Sequence, residues 1–562
     1  MKKKPMEQSQ LHTSPGQSAT HRRSSGHGER PRTPRFRAVL FTMVVALVLS
    51  GCILQPDTGR TGSVTLRFTS LNASTSRDGF SAAGVDGEEL SVNAIGVFLY
   101  GPDGRERRSA RVDVSGGSAT IQLDDIPEGR GYTIVAVKYT NAEDTSPPVP
   151  LPEAMGESDS FSISGGRETR VSLSTTEIDE NPGIRYPMEF RGERLVGAGA
   201  VGGEIIGATA TRIIASSNPE TITDLPDGIQ INGIFEGKIF DGDNNVVSIP
   251  LLATNQGIFP VPRSSGNGET GAQAIAAASL ASGASNVQEI IAFVAEEGDN
   301  KEIVWIYSRL GGFGGIGFDD NEELANGHEE SDWFDAGEDL EDLFDANENP
   351  VRAMGTDGVG VAYLATGPLG TFRITEDFEN VFDDDDDDNV LSEIIAGRSQ
   401  EGFTFFGMVP PGRSEAVRIN RLGVVSPPSS STNESNRVIV GTSQGAFWFS
   451  GSAIDDLDEG QSNVSGSAVN TIPQLAGERI QDIAVSGTYV ALATPRRVLV
   501  LERDGTSFKE VANHPTRGVV LGDITRIFIG STIEASVTTK YLFISGTAGL
   551  TVIPISAAEE LR

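Results

Sequence analysis

Cysteine is almost absent from this chain, since Cys52 is the only one among 562 residues. A single cysteine excludes an intramolecular disulfide and a multi-cysteine zinc site, so the folded part must be held together by packing. Histidine is also scarce, and only His328 and His514 follow the first 51 residues. Both lie in polar or turn-like sequence without the neighbours of a hydrolase motif, so we predict surface positions for them and no catalytic residues.

The motifs of phosphate and metal binding are missing as well. The glycine run Gly311–Gly317 is not followed by the Lys-Ser or Lys-Thr of a P-loop. Asp241–Asn245 begins like an EF-hand loop, but Val246 replaces its glycine and Leu252 its bidentate glutamate. The six aspartates Asp383–Asp388 favour a solvated loop, with weak cation binding as the alternative. We therefore predict no metal and no cofactor.

A net positive charge is confined to the start of the chain. Residues 1–51 carry nine Lys or Arg and two Glu, whereas the whole chain has a net charge of −34, so the remainder carries −41. Such an acidic surface repels nucleic-acid backbones and anionic headgroups. We predict no nucleic-acid partner.

One apolar run stands out, at residues 38–49, directly after the basic leader. As a helix, twelve residues reach only about 18 Å, which is short of the ~30 Å hydrocarbon core of a membrane. The order of basic leader, short apolar run and small residues is that of a secretory signal peptide. Residues 1–51 are therefore predicted to be a signal peptide with a basic leader.

The four residues Leu49-Ser50-Gly51-Cys52 end this run and resemble the lipobox of bacterial lipoprotein precursors. The resemblance implies acylation of Cys52, cleavage before it, and a lipid membrane as partner, with residues 52–61 as a lipidated tether. The resemblance implies three acyl chains on Cys52, which is more than the two membrane signals that stable anchoring requires. The resemblance to the lipobox also implies a location in the cell envelope. Because Ile53 is not the aspartate that retains such proteins in the inner membrane, the outer membrane is favoured.

Residues 62–176 have the pattern of a β-sandwich. In Ser63–Phe68 and Ala119–Leu123 every second side chain is apolar, as in antiparallel strands with one face in water. The segment Leu123–Ile134 resembles a turn of transthyretin-like and related Ig-like sandwiches. In such modules this turn is structural, and the domains serve as spacers or adhesive units.

A hairpin recurs through residues 185–562, best seen in Val438–Phe449, where two apolar runs flank a turn that contains glycine. Small residues precede the turn, as in Ala365, Gly441, Ala493 and Ser545. The segment resembles WD40-like and YVTN-like β-propellers, which implies about seven blades, between six and eight; a β-solenoid is the alternative. The seven aligned turn positions are Thr209, Thr254, Glu296, Thr366, Thr442, Thr494 and Gly546.

Two wide gaps between these turns hold unusual sequence. The glycine run Gly311–Gly317 and the aspartate run Asp383–Asp388 lie there, and we expect both gaps to be exposed acidic loop insertions. Trp305 and Trp448 fall in predicted blade strands and are expected in the core. Trp333 lies in an insertion and is the one tryptophan expected to be an exposed anchor.

The sequence thus predicts an all-β protein, a β-sandwich followed by a β-propeller. With no catalytic set, we predict a membrane-anchored envelope lipoprotein that acts as a binding or scaffold module for a protein or glycan partner, which the sequence does not identify. Two alternatives stay open: a carboxylate-dependent hydrolase with its site in the propeller channel, and a purely structural envelope component. Convergent charged side chains at one mouth of the channel would favour the hydrolase.

Overall fold

The computed structural model describes most of the chain beyond residue 59. The described ranges are 60–69, 94–113, 118–141, 150–173, 175–177, 183–201, 204–216, 223–224, 228–240, 245–261, 286–297, 300–309, 312–318, 333–335, 351–358, 360–366, 370–375, 403–428, 435–455, 457, 463–534, 537–555 and 559–560. Residues Arg60–Arg562 form one compact unit. Strands dominate it, and the all-β class is confirmed.

Helix is rare in these ranges. The two α-helices are single turns, α1 (Ser452–Asp455) and α2 (Thr516–Val519). Three 3-10 turns cover Met188–Phe190, Gly466–Ala468 and Pro473–Leu475. Of the helices in the described ranges, none has the length and hydropathy needed to cross a membrane.

Nine strands form the N-terminal part of the described chain. They are β1 (Thr61–Thr69), β2 (Ala94–Tyr100), β3 (Glu106–Asp113), β4 (Ser118–Pro127), β5 (Gly129–Asn141), β6 (Pro150–Glu157), β7 (Phe161–Ile163), β8 (Glu168–Arg170) and β9 (Thr176–Glu177). One sheet has the order β4-β1-β8, and the other has the order β3-β2-β5-β6-β9, with β7 paired to β5. Their apolar faces share one core, which includes Val64, Leu66, Ile121 and Ile134. The period-2 pattern of β1 and β4 produces this packing, because alternate side chains point to one face.

The remaining strands form seven sheets in chain order. Sheet 1 contains β10 (Gly197–Val201), β11 (Glu204–Ala208), β12 (Arg212–Ala215) and β13 (Thr223–Asp224), and sheet 2 contains β14 (Ile231–Phe240), β15 (Val246–Thr254) and β16 (Gly257–Pro260). Sheet 3 contains β17 (Glu289–Glu297), β18 (Asn300–Arg309), β19 (Gly312–Phe318) and β20 (Trp333–Asp335), and sheet 4 contains β21 (Val351–Thr356), β22 (Val361–Thr366), β23 (Gly370–Thr375) and β24 (Phe403–Val409).

The last three sheets follow the same plan. Sheet 5 contains β25 (Arg421–Val425), β26 (Arg437–Thr442), β27 (Gly445–Ser450) and β29 (Asn470–Thr471); the intervening β28 (Asn463–Ser465) pairs with β24 of sheet 4. Sheet 6 contains β30 (Asp482–Ser486), β31 (Tyr489–Ala493), β32 (Arg497–Asp504) and β33 (Ser507–Pro515). Sheet 7 contains β34 (Ile524–Glu534), β35 (Val537–Gly546), β36 (Gly549–Pro554) and β37 (Glu559–Glu560).

The seven sheets contact one another in a closed cycle, which we call the ring. The first strand of each sheet touches the first strand of the next, and β34 of sheet 7 touches β10 of sheet 1. Apolar side chains fill the seams; for example, Phe543 and Leu550 of sheet 7 pack with Leu195 and Ala198 beside sheet 1. On its other side, sheet 7 packs against sheet 6. Every sheet of the ring is therefore covered on both sides.

The segment that enters the ring also completes its last sheet. Arg185 forms an antiparallel bridge with Val552 of β36, and their backbone groups exchange hydrogen bonds of 2.8 and 2.9 Å. A few residues later, the Leu195 N–H donates to the carbonyl of Gly546. The segment that precedes sheet 1 is therefore paired with β36 of sheet 7, the last sheet of the ring.

The recurrent hairpin is the connection between the second and third strands of each sheet. In sheets 2 and 5 the threonine hydroxyl donates to a carbonyl three residues on, 2.8 Å from Thr254 to Gly257 and 2.9 Å from Thr442 to Gly445. Gly257 and Gly445 have φ values of 134° and 136°, a region that favours glycine. The repeated threonine and glycine are therefore needed to close the same turn.

Three predictions about sheet 3 are wrong. Glu296 lies in the first strand, β17, whereas the turn between the second and third strands follows Arg309. The glycine run is no exposed loop, because Gly312–Phe318 forms the central strand β19. A Cβ on Gly314 would collide with the Tyr307 hydroxyl, so the missing side chains make room for a buried tyrosine of β18. The backbone of Trp333 lies in β20, the fourth strand, and not in a loop.

Candidate functional site

Several residues singled out in the sequence lie outside the described ranges. These are Cys52, His328, Asp241 and Asp383–Asp388. The two residues that break the EF-hand pattern are described, and both lie in β15, where Leu252 is buried in the apolar contact between sheets 1 and 2. The twelfth position of that pattern therefore faces a core. Among the described residues no group of three or more His, Cys, Asp or Glu could hold a metal ion.

The predicted surface position of His514 is wrong. Its side chain is buried in β33, paired with Val498 of β32, and Nε2 has no hydrogen-bond partner in the described structure. Burial lowers its pKa, because a buried imidazolium loses hydration. The core prediction is confirmed for Trp305, which is fully buried, whereas Trp448 is half-buried and packs edge-on against Phe508 at the border of a core.

The sheets place one residue of each first strand at an equivalent position in the ring. Each of these residues pairs with the small residue that precedes the hairpin turn of its sheet, as Asp482 pairs with Ala493 and Arg421 with Gly441. We call the set the central layer. It consists of Gly197, Gly233, Glu289, Ala353, Arg421, Asp482 and Arg526.

Two ion pairs link members of the central layer. Arg526 of sheet 7 donates from Nη2 to Oε1 of Glu289 in sheet 3 at 2.9 Å, although sheets 1 and 2 lie between them in the cycle. Both of those sheets contribute a glycine at this level. Arg421 of sheet 5 donates from Nε to Oδ1 of Asp482 in sheet 6 at 3.1 Å. The central layer thus links sheets 7 and 3, which are not adjacent in the cycle, and also the adjacent sheets 5 and 6.

An aromatic ring completes the longer link. The Arg526 guanidinium lies 4.2 Å from the ring centroid of Phe235 in sheet 2. A Cβ on Gly233 would lie 2.8 Å from that ring, so glycine allows Phe235 to occupy the layer. A cation on an aromatic face adds about 0.5–2 kcal/mol, more when water is excluded. We call Arg526, Phe235 and Glu289 the inner clamp.

Each oxygen of the two carboxylates of the central layer accepts a hydrogen bond from the protein itself. Glu289 also accepts from the Met354 N–H at 3.2 Å, and Asp482 accepts from the Ile527 N–H at 2.8 Å. Burial raises the pKa of Glu289, and Arg526 and then Arg421 oppose that rise. A general base or nucleophile needs a free lone pair facing a substrate. In this structure both carboxylates bond groups of other sheets.

The central layer could not be found from sequence spacing. Asp482 precedes its hairpin threonine, Thr494, by 12 residues, whereas Arg421 precedes Thr442 by 21. The difference arises because the connection between the first and second strands varies in length. The feature that recurs in each sheet is the small residue before the turn. Only the strand pairing shows which residue of the first strand lies opposite this small residue.

The larger N-terminal sheet packs on the outside of the ring near α2. The Arg517 guanidinium lies 5.2 Å from the ring centroid of Phe98 and bonds Glu106 at 3.2 Å. Tyr139 donates to the Arg517 carbonyl at 3.4 Å, and Arg496 pairs with Glu157. We call Arg517, Phe98 and Glu106 the outer clamp. It fixes the N-terminal sheets to sheets 6 and 7.

The tyrosine side chains at this contact are shielded from water. Burial raises the pKa of Tyr139 to about 12, although Arg517 and Arg111 oppose the rise, and burial also raises the pKa of Tyr100. The Tyr100 hydroxyl reaches the Pro495 carbonyl at 3.5 Å. A Cβ on Gly518 would collide with the sulfur of Met155, so α2 packs directly on β6. These contacts make the N-terminal sheets and the ring one body.

Comparison with known proteins gives only distant likenesses. No protein-family model and no curated protein matches the chain. The extracellular domain of a B. thetaiotaomicron protein classed as a one-component system is 13% identical with a TM-score of 0.36, over 66% of this chain and 40% of that one. PorZ, a surface component of the type-IX secretion system of Porphyromonas gingivalis, is 12% identical with a TM-score of 0.36, over 76% and 57%.

A third structure, the CNH domain of AfRom2, is 8% identical with a TM-score of 0.33, over 67% of this chain and 99% of that one. The chain thus spans 40% and 57% of the first two structures that it resembles. At such identities and TM-scores, likeness transfers no function from these proteins to this chain.

Proposed function

We propose that this protein is a lipid-anchored scaffold of the bacterial cell envelope, in which a seven-bladed β-propeller is held in a fixed position by a β-sandwich. The observation that carries the proposal is the outer clamp. Arg517 joins α2 of the ring to β2 and β3 of the N-terminal sheets through Phe98 and Glu106. Because the two parts form one body, an anchor at Cys52 would limit how the ring is presented.

The closed cycle of seven sheets supports the propeller, and the central layer supports a binding role over a hydrolase. Glu289 and Asp482 are the carboxylates of that layer, and each is bonded by an arginine and a backbone N–H. Freeing either for acid-base chemistry would break a link between sheets. A rigid ring with variable loops is, in contrast, the usual form of a recognition module.

The anchor is tested with wild-type protein and Cys52→Ala in the native host. We expect the wild type to partition into detergent with a mature N-terminus at Cys52, and the variant to stay unprocessed. Mass spectrometry and detergent-phase separation measure both. A mature N-terminus at another residue, or wild-type protein found wholly in the aqueous phase, contradicts the anchor.

The scaffold role is tested by chemical crosslinking in intact cells. We expect a discrete crosslinked species that contains this protein and an envelope protein, and we expect it to weaken with Arg517→Met, which releases the outer clamp without touching the lipid. Arg170→Met is the matched control, since Arg170 forms only an exposed pair with Glu168. Crosslinking that is equal in all three proteins would argue against presentation by the outer clamp.

A further inference from the structure

A cleft of about 320 Å³ lies where the N-terminal sheets meet the ring. Strands β2, β3 and β5 supply Phe98, Arg111 and Tyr139 to its walls, and the ring supplies Arg517, Val520 and Ala548. Neither part of the molecule forms the cleft alone. Its size is in the range of pockets that accept small molecules.

The cleft combines apolar walls with one available positive charge. The Arg517 guanidinium is held by Glu106 and by Asp523, at 3.2 and 2.8 Å, so it forms part of the wall. Arg111 differs: its guanidinium lies 5.2 Å from the ring centroid of Tyr139 and has no acidic partner among the described residues. Its side chain is exposed, and its N–H groups are open to a ligand.

We propose that this cleft binds a small organic anion, a carboxylate on a planar apolar body. The guanidinium is planar and matches a carboxylate with two parallel N–H···O bonds, and its face also stacks on flat groups. Arg111 takes the carboxylate, and the apolar body lies between Tyr139 and the wall formed by Val520 and Ala548. Although the chain has a net charge of −34, an arginine without an acidic partner among the described residues, beside an aromatic ring, favours an anion locally.

Small residues keep the cleft open on the ring side. Gly522 has a φ of 81°, and a Cβ there would collide with the Thr547 hydroxyl. Glycine therefore holds the turn that precedes β34 in place beside Ala548. A larger residue at 548 would project into the space that the ligand needs. The proposed site goes beyond the anchored scaffold, and it does not depend on acylation of Cys52.

The test is isothermal titration of the full-length protein, in detergent, with 2-naphthoate as the probe and its neutral amide, 2-naphthamide, as the matched compound. We expect 2-naphthoate to bind with one site per chain and at least about tenfold more tightly than the amide, as a charge-assisted bidentate contact implies. Arg111→Gln should weaken 2-naphthoate at least about tenfold. Ala548→Leu should weaken both compounds, because it fills the cleft without changing charge.

Arg108→Gln is the control variant, since Arg108 is an exposed arginine of the same strand that reaches the Asp124 carbonyl and not the cleft. It should bind like the wild type, and Cys52→Ala should do so too. Thermal melts confirm that each variant is folded. Equal binding of the acid and the amide, equal binding by wild type and Arg111→Gln, or no binding up to about 1 mM would overturn the proposal.

Discussion

Two arginines of this protein each contact an aromatic ring and bond a carboxylate, but they do so in different surroundings. In the inner clamp, Arg526 contacts an aromatic ring and bonds Glu289 in the middle of the ring of sheets. In the outer clamp, Arg517 contacts Phe98 and bonds Glu106 on the outside of that ring. The chemistry is the same, but the carboxylates differ. The side chain of Glu289 is 17% exposed, and burial raises its pKa, whereas that of Glu106 is 27% exposed and Arg517 also bonds Asp523, which is 72% exposed.

The difference in solvent exposure indicates what each clamp contributes. The inner clamp links sheets 7, 2 and 3, and an unpaired carboxylate left there would have little water to replace its partner. Side chains of the outer clamp lie near solvent, so water compensates much of any lost contact. We therefore expect the inner clamp to govern whether the ring closes, and the outer clamp to govern how the N-terminal sheets are oriented on it.

The most severe way to break the inner clamp is to remove the strands that hold Arg526 in place. Deleting residues 541–562 removes β36 and most of β35, and it exposes the apolar faces of sheets 6 and 1 at once. Even a few hundred Å² of lost burial, at ~25 cal/mol per Å², is comparable with the stability of a domain. We expect loss of cooperative unfolding or aggregation, measured by circular dichroism. A cooperative melt with a nearly unchanged midpoint would rule out a closed propeller.

The next largest effect is expected from Arg526→Met. The substitution leaves Glu289 without its cation, and we expect the free energy of unfolding to fall by about 3 kcal/mol. The double variant Arg526→Met/Glu289→Met should recover much of this loss, because neither member of this ion pair is then left without its partner. Urea unfolding measures both. If the double variant is as unstable as the single one, packing on Phe235 and not charge is the main contribution of the inner clamp.

Arg517→Met should have a smaller effect. It removes a partly exposed ion pair and a cation–π contact, so we expect the free energy of unfolding to fall by about 1–2 kcal/mol. Limited proteolysis should now cut between the N-terminal sheets and the ring. The control, Arg170→Met, should leave both measurements unchanged. A loss as large as that of Arg526→Met would erase the distinction between the two clamps.

The smallest expected effect depends on pH and concerns only the outer side of the ring. His514 lies three residues before Arg517, and burial lowers its pKa below the usual value of about 6.5. Protonation therefore favours the unfolded chain, and the stability that His514 contributes is lost as pH falls below about 6.5. Wild type should lose more stability than His514→Leu between about pH 7.5 and 5.5. Parallel pH dependences in urea unfolding would contradict this.

Much of the fold could be predicted from sequence because its signals are local. Alternating apolar residues mark β1 and β4, which contain the predicted strands Ser63–Phe68 and Ala119–Leu123. The repeated threonine turn marks the centre of most ring sheets, since the hydroxyl that closes it lies three residues from its acceptor. The glycine run of β19 was misread because a strand usually excludes glycine, and only its contact with Tyr307 explains it.

The candidate site could not be predicted, because its parts are distant in sequence. Arg526 and Glu289 are 237 residues apart, and Arg517 and Glu106 are 411 apart. Nothing local distinguishes these arginines from exposed ones such as Arg108. Burial of His514 was missed for a similar reason, since its turn-like sequence gives no sign that it pairs with the buried Val498 of β32. The acylation of Cys52 stays a prediction.

The bridge between Arg185 and Val552 bears on how quickly this protein can fold. It lies at the junction between the two ends of the ring, and a second contact there, from Arg185 to the Tyr541 hydroxyl, spans 356 residues. Contacts that are so remote along the chain slow folding, because a very large loop must close before they form. A chain that emerges from a ribosome or a translocon with its N-terminus first has sheets 1 to 6 before sheet 7 exists. The apolar faces beside Leu195 and Ala198 thus stay open until sheet 7 has been synthesised, and this interval is when we expect the protein to depend most on chaperones.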